Sequence, residues 1–429
     1  MPAVDLTGTG NRMYALMEAL FPLCRSITGS GTRKTLQTIA GRIPLEVHEV
    51  PSGTQALDWT VPAEWNIRDA YIAQPGGARV VDFQESNLHI VGYSEPIQAV
   101  MPLAELRAHL HALPEHPDWV PYRTSYYSRT WGFCLAQRAL DALEDSDYEV
   151  FIDSTLEAGS LTYGECVLSG ESEDEVLLTT HVCPNDNLSG IALLTELAEA
   201  LARSSHRLTY RFLFIPGTIG SVTWLARNEE RLERIVAGLV VACVGDPAPL
   251  SYKRSRRGDT LVDRAAAHVI SRTAGARVLD FVPWGWDERQ FNSPGFDLPV
   301  GCLSRSREGE YEQYHSSADD LSLVRPEQLE ETLRAVLEIL DVLETDKRYV
   351  NLAPKGEPQL GKRGLYSSTG GGAVRDEQLA MLWVLNQSDG INSLLDIAER
   401  SEMPFARIRE SARRLTDAGL LVDADSGAR

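Results

Sequence analysis

The sequence predicts an α/β fold: a mostly parallel sheet with helices on both faces, interrupted by a β-rich insert and followed by a C-terminal winged helix. Three observations predict it. Apolar runs alternate with amphipathic runs from about residue 150 to residue 350, which is the rhythm of βαβ units. Residues 58–149 instead carry aromatics, prolines and short alternating runs, the texture of strands and turns. A Gly-rich joint at 367–372 precedes three short helical patterns and Gly419-Leu420-Leu421-Val422, the order of a winged helix. The expected boundaries are residues 1–57 and 150–350 for the α/β domain, 58–149 for the insert and 373–429 for the winged helix.

In chain order, 3.6-residue periodicity predicts helices at 11–23 and 32–42, joined by the turn-rich Arg25-Ser26-Ile27-Thr28-Gly29. Alternation predicts a strand at 45–50, and short strands at 70–72, 79–83 and 88–91 within the insert. The insert also holds Pro121-Tyr122-Arg123-Thr124-Ser125-Tyr126-Tyr127, then Trp131-Gly132-Phe133-Cys134. Tyr126 and Tyr127 belong either to a packed β core or to the wall of a polar pocket. Strands follow at 175–180, 210–215, 237–245, 277–282 and 298–303. Helices are expected at 188–201, 221–230, 259–274 and 326–346. Functional residues belong in the loops after the strands.

Composition narrows the classes. A net charge of −20 argues against a nucleic-acid-coating protein, and the winged-helix segment is charge-balanced, which favours a protein partner over DNA. Six scattered cysteines with no CxxC pair read as reduced thiols in the cytoplasm. With no basic leader and no bilayer-length apolar run, the expectation is a cytoplasmic protein with no membrane contact. Neither a phosphate loop nor a GxSxG turn is present, so no nucleotide cofactor is expected.

The stretch Thr180-His181-Val182-Cys183-Pro184-Asn185-Asp186-Asn187-Leu188-Ser189-Gly190 is read as strand, tight loop and helix. His181 and Asp186 offer the nitrogen and oxygen that zinc accepts, although an ordinary strand-to-helix turn explains them as well. Asn187 or Ser189 would cap the helix, and Gly190 would permit close backbone approach. Later loops supply Asp246, Asp287 with Glu288, and His315 with Asp319, the last two alternatively a structural pair. Lys253, Arg254, Arg289 and Arg305 are candidates to grip an anionic substrate group, guanidinium being suited to bidentate contacts. Arg256 and Arg257 read equally as solvated, and Glu310 reads as either a catalytic or an exposed carboxylate.

Long stretches of the chain resemble the DUF4910 aminopeptidase-like proteins, relatives of the dinuclear zinc aminopeptidases. They include Leu20-Phe21-Pro22-Leu23-Cys24-Arg25-Ser26-Ile27-Thr28-Gly29, Asp58-Trp59-Thr60-Val61-Pro62-Ala63-Glu64-Trp65, Cys243-Val244-Gly245-Asp246, Ser251-Tyr252-Lys253-Arg254 and Asp287-Glu288-Arg289-Gln290. The resemblance implies a zinc-aminopeptidase-like sheet and places His181, Asp186, Asp246 and His315 on metal-ligand positions, with Asp186 bridging. Three departures put that metal's occupancy in question. The loop after His181 is short and lacks the second histidine, Gly217 stands where the family has glutamate, and the bulky Trp286 precedes Asp287. Without a carboxylate at Gly217, water activation is impaired.

The chain therefore also looks like the divergent, aziridine-forming members of azinomycin-type secondary metabolism. There an amino-acid-derived amine, held on an acidic amino-group carrier protein, closes a ring as sulfate leaves. On that reading Asp186, Asp246, Asp287 or Glu310 takes the proton; Lys253, Arg254, Arg289 and Arg305 bind the anion; and Tyr126, Tyr127 and Trp286 wall the pocket. A zinc-dependent aminopeptidase or amidohydrolase and a non-catalytic scaffold are the alternatives.

Overall fold

The computed structural model describes residues 5–182, 187–365 and 372–424. These fall into two compact units, a larger one of residues 2–263 with 273–334 and a smaller one of 264–272 with 335–429.

The larger unit is built on an eight-stranded sheet. Its spatial order is Glu46–Pro51, Ser160–Leu168, Thr209–Ile215, Glu175–His181, Ile235–Val241, Val300–Ser304, Ser251–Lys253 and Arg277–Leu279. The sheet is mixed. The four strands from Thr209–Ile215 to Val300–Ser304 pair in parallel, as the βαβ rhythm predicts. Glu46–Pro51, Ser160–Leu168 and Ser251–Lys253 join it by antiparallel pairings. Periodicity did not reveal Ser160–Leu168, because Thr162, Gly164 and Glu165 interrupt its apolar pattern. Glu165 is tolerated there because it accepts bonds from Arg211 Nη1 at 2.7 Å and Trp224 Nε1 at 3.0 Å.

Arg211 is 1% exposed and also forks onto Glu175, with Nε and Nη2 at 2.6 and 2.8 Å from its two oxygens. Three neighbouring strands are thereby joined by one guanidinium. The helix Leu188–Leu201 is buried over nearly its whole length, as its apolar run requires.

The insert contributes a second sheet in the order Arg79–Asp82, Glu64–Ala73, Asp147–Glu157, Ile97–Pro102. Residues 88–91, expected as a strand, instead contain the 3-10 turn Asn87–His89, whose Ser86 side chain accepts from Leu88 N. One apolar cluster runs from Leu177, Leu213 and Val240 of the large sheet into Trp65, Phe133 and Tyr148 of the insert, which adds a small cluster of its own, Val91, Val120 and Cys134. Cysteines share such surroundings. Burial raises the thiols of Cys24 and Cys166 to about 11 and of Cys134 to about 12. Iodoacetamide at pH 8 is therefore expected to leave these three unlabelled in the folded protein and to label them in urea, as read by peptide mass mapping.

The smaller unit carries helices Gly372–Gln387, Leu394–Ser401 and Phe405–Asp417 with a sheet in the order Asp389–Ser393, Arg348–Asn351, Leu421–Asp423. Its central strand thus lies before the Gly-rich joint, ahead of the boundary at 373 read from the sequence. Ser393 and Asp396 close a capping box at the second helix. On the third helix Arg407, Arg409, Arg413 and Arg414 are each ion-paired, to Asp376, to Asp341, to Glu410 and Asp417, and to Glu377. No described helix is long and apolar enough to cross a membrane.

Candidate functional site

The loops at the carboxyl ends of the parallel strands are tied together by side chains. His181 ends its strand and is 5% exposed. Asn187 does not cap the following helix through its side chain. Its Nδ2 instead donates to Thr180 Oγ1 at 2.6 Å and to the His181 carbonyl at 3.0 Å, while its Oδ1 accepts from Cys243 N at 3.1 Å. Ser189 Oγ accepts from Val244 N at 3.0 Å, locking the same two loops. Gly190 is required here, since a Cβ would fall 2.5 Å from Thr180 Oγ1 and from the Val241 carbonyl.

Asp287 is deeply seated, at 2% exposure. Its Oδ1 accepts from Thr218 N at 2.8 Å and from Ser221 Oγ at 2.6 Å, so the Pro216-Gly217-Thr218-Ile219-Gly220-Ser221 turn holds it. Thr218 adopts φ 59° and Cys243 φ 51°, left-handed conformations costly for side-chain-bearing residues. Both strained residues donate their N–H into this network. Trp286 lies near-parallel to His181, with ring centroids 6.3 Å apart. Two buried N–H donors flank Asp287 without a hydrogen-bond partner among the described residues, Trp286 Nε1 and Arg289 Nε. Arg289 also reaches Thr218 Oγ1 through Nη2 at 3.3 Å.

Other sequence candidates are engaged elsewhere. Asp246 accepts from Ala248 N, Ser306 N and Ser306 Oγ at 2.9, 3.1 and 2.8 Å, and so organises its own loop. Lys253 is 6% exposed; it pairs with the fully buried Glu288 and donates to the Trp284 carbonyl at 2.5 Å. A buried ammonium requires such a counter-charge, which removes it from substrate binding. Arg305 is consumed by Thr332 Oγ1, the Ala248 and Gln328 carbonyls and Glu331. Arg254 donates to the Gly258 carbonyl at 2.5 Å, and Arg256 and Arg257 both pair with Asp297. Glu310 is exposed, at 3.2 Å from Arg277 and 3.0 Å from Arg307. His315 is exposed and stacks on Tyr314 at 3.9 Å, while Asp319 accepts from Tyr311 Oη at 2.7 Å. Asp186 lies outside the described residues.

Asn187, Thr218 and Ser221 are the contributors that periodicity and motif spacing did not single out as site residues, whereas Glu288 was read beside Asp287. Glu288 makes the site's surroundings sensitive to pH. Burial raises its carboxyl above the ordinary value, against the pull of the Lys253 ammonium. A raised folded-state value stabilises fully below about pH 4.5, and that contribution is lost as pH rises through the folded value. The expected outcome is a thermal-melt profile whose loss of stability with rising pH above about 4.5 is shallower in Glu288→Gln.

The resemblance to dinuclear aminopeptidases implies a zinc pair, and the described donors do not fit one. The Asn187 amide is oriented by Cys243 N–H and the His181 carbonyl, so its NH2 group faces His181 Nδ1 at 3.2 Å. The two hydrogens of that group go to the nearer acceptors, Thr180 Oγ1 and the His181 carbonyl, so the contact leaves the His181 tautomer unassigned. Asp246 is satisfied by three protein donors, and Gly217 brings no carboxylate. Elemental analysis of the purified chain is expected to find fewer than two zinc ions per molecule; two tightly held ions would contradict this assignment.

Comparison with known proteins agrees with this architecture. A protein of Clostridium acetobutylicum, named for polysaccharide biosynthesis and an aminopeptidase-like domain, is 52% identical over 419 residues, 96% of each chain. A solved Clostridium acetobutylicum structure described as a peptidase superposes with a TM-score of 0.93 at 50% identity, covering 97% of this chain and 98% of that one. The zinc aminopeptidase of Bacillus subtilis shares the fold alone, with a TM-score of 0.58 at 12% identity over 80% of this chain and 96% of its own. Residues 347–423 match a winged helix-turn-helix model, and residues 14–346 match the model described as a domain of unknown function, DUF4910. By that match over most of its length, the chain belongs to the DUF4910 family, joined to a C-terminal winged helix-turn-helix.

Proposed function

We propose that this chain is an aminopeptidase-fold enzyme turned from hydrolysis to intramolecular displacement on an amino-acid-derived amine, of the kind used in secondary metabolism. The observation that carries the reading is the pair of buried donors next to Asp287 in the chain, Trp286 Nε1 and Arg289 Nε, which have no hydrogen-bond partner among the described residues. Buried donors call for acceptors. Sulfate, phosphate or carboxylate supplies them, and donors already oriented stabilise charge developing on a departing anion. Asp287, held through Oδ1, takes the ammonium proton of the substrate; the freed amine attacks the carbon bearing the anion, the C–N bond forms as the C–O bond breaks, and sulfate leaves with the bonding pair. Trp286 over His181 limits competing water. An amino-group carrier protein would present the substrate, with the winged helix as a possible docking element for protein.

The test is incubation of a sulfated diamino acid in 18O-water, followed by mass spectrometry. Loss of sulfate without 18O supports ring closure. Incorporation of 18O indicates hydrolysis, and an untouched substrate refutes the reading. A zinc-dependent aminopeptidase is the second reading, favoured by the fold shared with the Bacillus subtilis enzyme. It requires chelator-sensitive cleavage of aminoacyl anilides.

A further inference from the structure

Two motifs singled out in the sequence have no part in the site around Asp287: the stretch opening Asp58-Trp59-Thr60-Val61-Pro62 and the segment Tyr126-Tyr127-Ser128-Arg129. They meet. Both line one open cavity of about 680 Å³ in the insert, within the size range of small-molecule sites.

Trp59 and Tyr127 stand at its surface, 40% and 53% exposed, with ring centroids 5.6 Å apart and planes at 65°. Exposing two large rings to water is unfavourable unless something covers their faces. Steeply inclined aromatic faces are the arrangement that surrounds a cation. The charges nearby point the same way. Arg129 is neutralised by Glu95 at 2.9 Å, whereas Asp58 has no hydrogen bond or ion pair among the described residues. An anionic ligand would meet an uncompensated carboxylate here, and an ammonium would be attracted by it.

The floor of the cavity is held rigid. Tyr93 is buried at φ 69°, a strained conformation for an aromatic residue, between Trp65 stacked at 5.8 Å and Tyr126 edge-on at 5.5 Å. Tyr126 Oη in turn meets Tyr122 Oη at 2.9 Å, and the Tyr122 ring packs against His315 at 5.0 Å. The cavity is thereby connected through two tyrosines to the loops at the carboxyl ends of the sheet.

We infer that this cavity is a second ligand site that takes an ammonium head group, with Trp59 and Tyr127 as its aromatic walls and Asp58 as its counter-charge. The assignment stands apart from the chemistry proposed at Asp287. Tetramethylammonium chloride is the probe, titrated calorimetrically into the full chain against sodium chloride of equal ionic strength. Saturable millimolar binding is expected, weakened about fivefold or more by Trp59→Ala and by Tyr127→Leu. Asp58→Asn should weaken it several-fold and flatten its loss with salt, since the screened attraction is gone, while Asp287→Asn should leave it unchanged. Trp59→Phe, which keeps a ring in place, should retain most of the binding and guards against a folding artefact. Absence of saturation in the wild-type chain overturns the inference, as does binding that survives Trp59→Ala and Tyr127→Leu together. Saturable binding of methyl α-glucopyranoside that depends on Trp59, without tetramethylammonium binding, overturns it in favour of a carbohydrate site.

Discussion

Replacing Arg211 by alanine is expected to lower the unfolding free energy by about 3–5 kcal/mol, the usual cost of removing one member of a buried ionic group. The side chain is 1% exposed and carries three charge-assisted bonds to Glu165 and Glu175. Its loss leaves Glu175, 4% exposed, with only the longer 3.8 Å contact to the half-exposed Arg231, and leaves Glu165 with Trp224 Nε1 and His48. Urea denaturation read by circular dichroism measures the effect. A complementary variant separates charge from packing: Arg211→Met with Glu165→Leu and Glu175→Leu should recover most of the loss, since apolar replacements of a whole buried ionic group are often neutral. Equal destabilisation of both variants would show that shape, not charge, is what Arg211 supplies.

Asp287→Asn is expected to reduce sulfate release from the diamino-acid substrate by about 10²–10⁴-fold, the range of a lost general base. The variant should fold normally. Asparagine keeps the Oδ1 acceptor for Thr218 N and Ser221 Oγ, so the turn that holds the position remains in place. Single-turnover rates combined with thermal melts check both halves. An unchanged rate would remove Asp287 from the chemistry, and a collapsed melt would make it a structural carboxylate.

Where local pattern dominates, the sequence was readable. The helix Leu188–Leu201 has the bounds its apolar run implies, and the parallel centre of the sheet follows from apolar runs such as Val176-Leu177-Leu178 and Phe212-Leu213-Phe214-Ile215 in strands buried along their whole length. Strand Ser160–Leu168 escaped because its polar residues are satisfied by partners far away in sequence, Thr162 by Glu49 and Glu165 by Arg211. The same long-range pairing hid the fate of the charges. Lys253 and Arg305 read as available cations, yet Glu288 and Glu331 claim them, and no local spacing announces those pairs. Arg289 differs from them in no sequence property; only the fold leaves its Nε without an acceptor among the described residues. Gly217 was legible from the resemblance, and the bonds by which Asn187 ties His181 to Cys243 were not, because they depend on the orientation of one amide.

The first strand, Glu46–Pro51, finds its partner only after the insert has been made: Glu49 bonds to Thr162, 113 residues later. On a ribosome adding about 5–20 residues per second, that wait is roughly 6 to 23 seconds. During this interval the insert strands Glu64–Ala73 and Ile97–Pro102 have emerged, but Asp147–Glu157, which pairs with both, has not. The large sheet therefore cannot begin to form until Ser160–Leu168 has emerged. Its first available pairing is Glu46–Pro51 with Ser160–Leu168, and Thr209–Ile215 joins Ser160–Leu168 and Glu175–His181 only after a further 41 to 47 residues, roughly 2 to 9 seconds later. Nascent chains arrested before residue 160 should consequently remain protease-sensitive at residues 46–51, whatever the state of the insert.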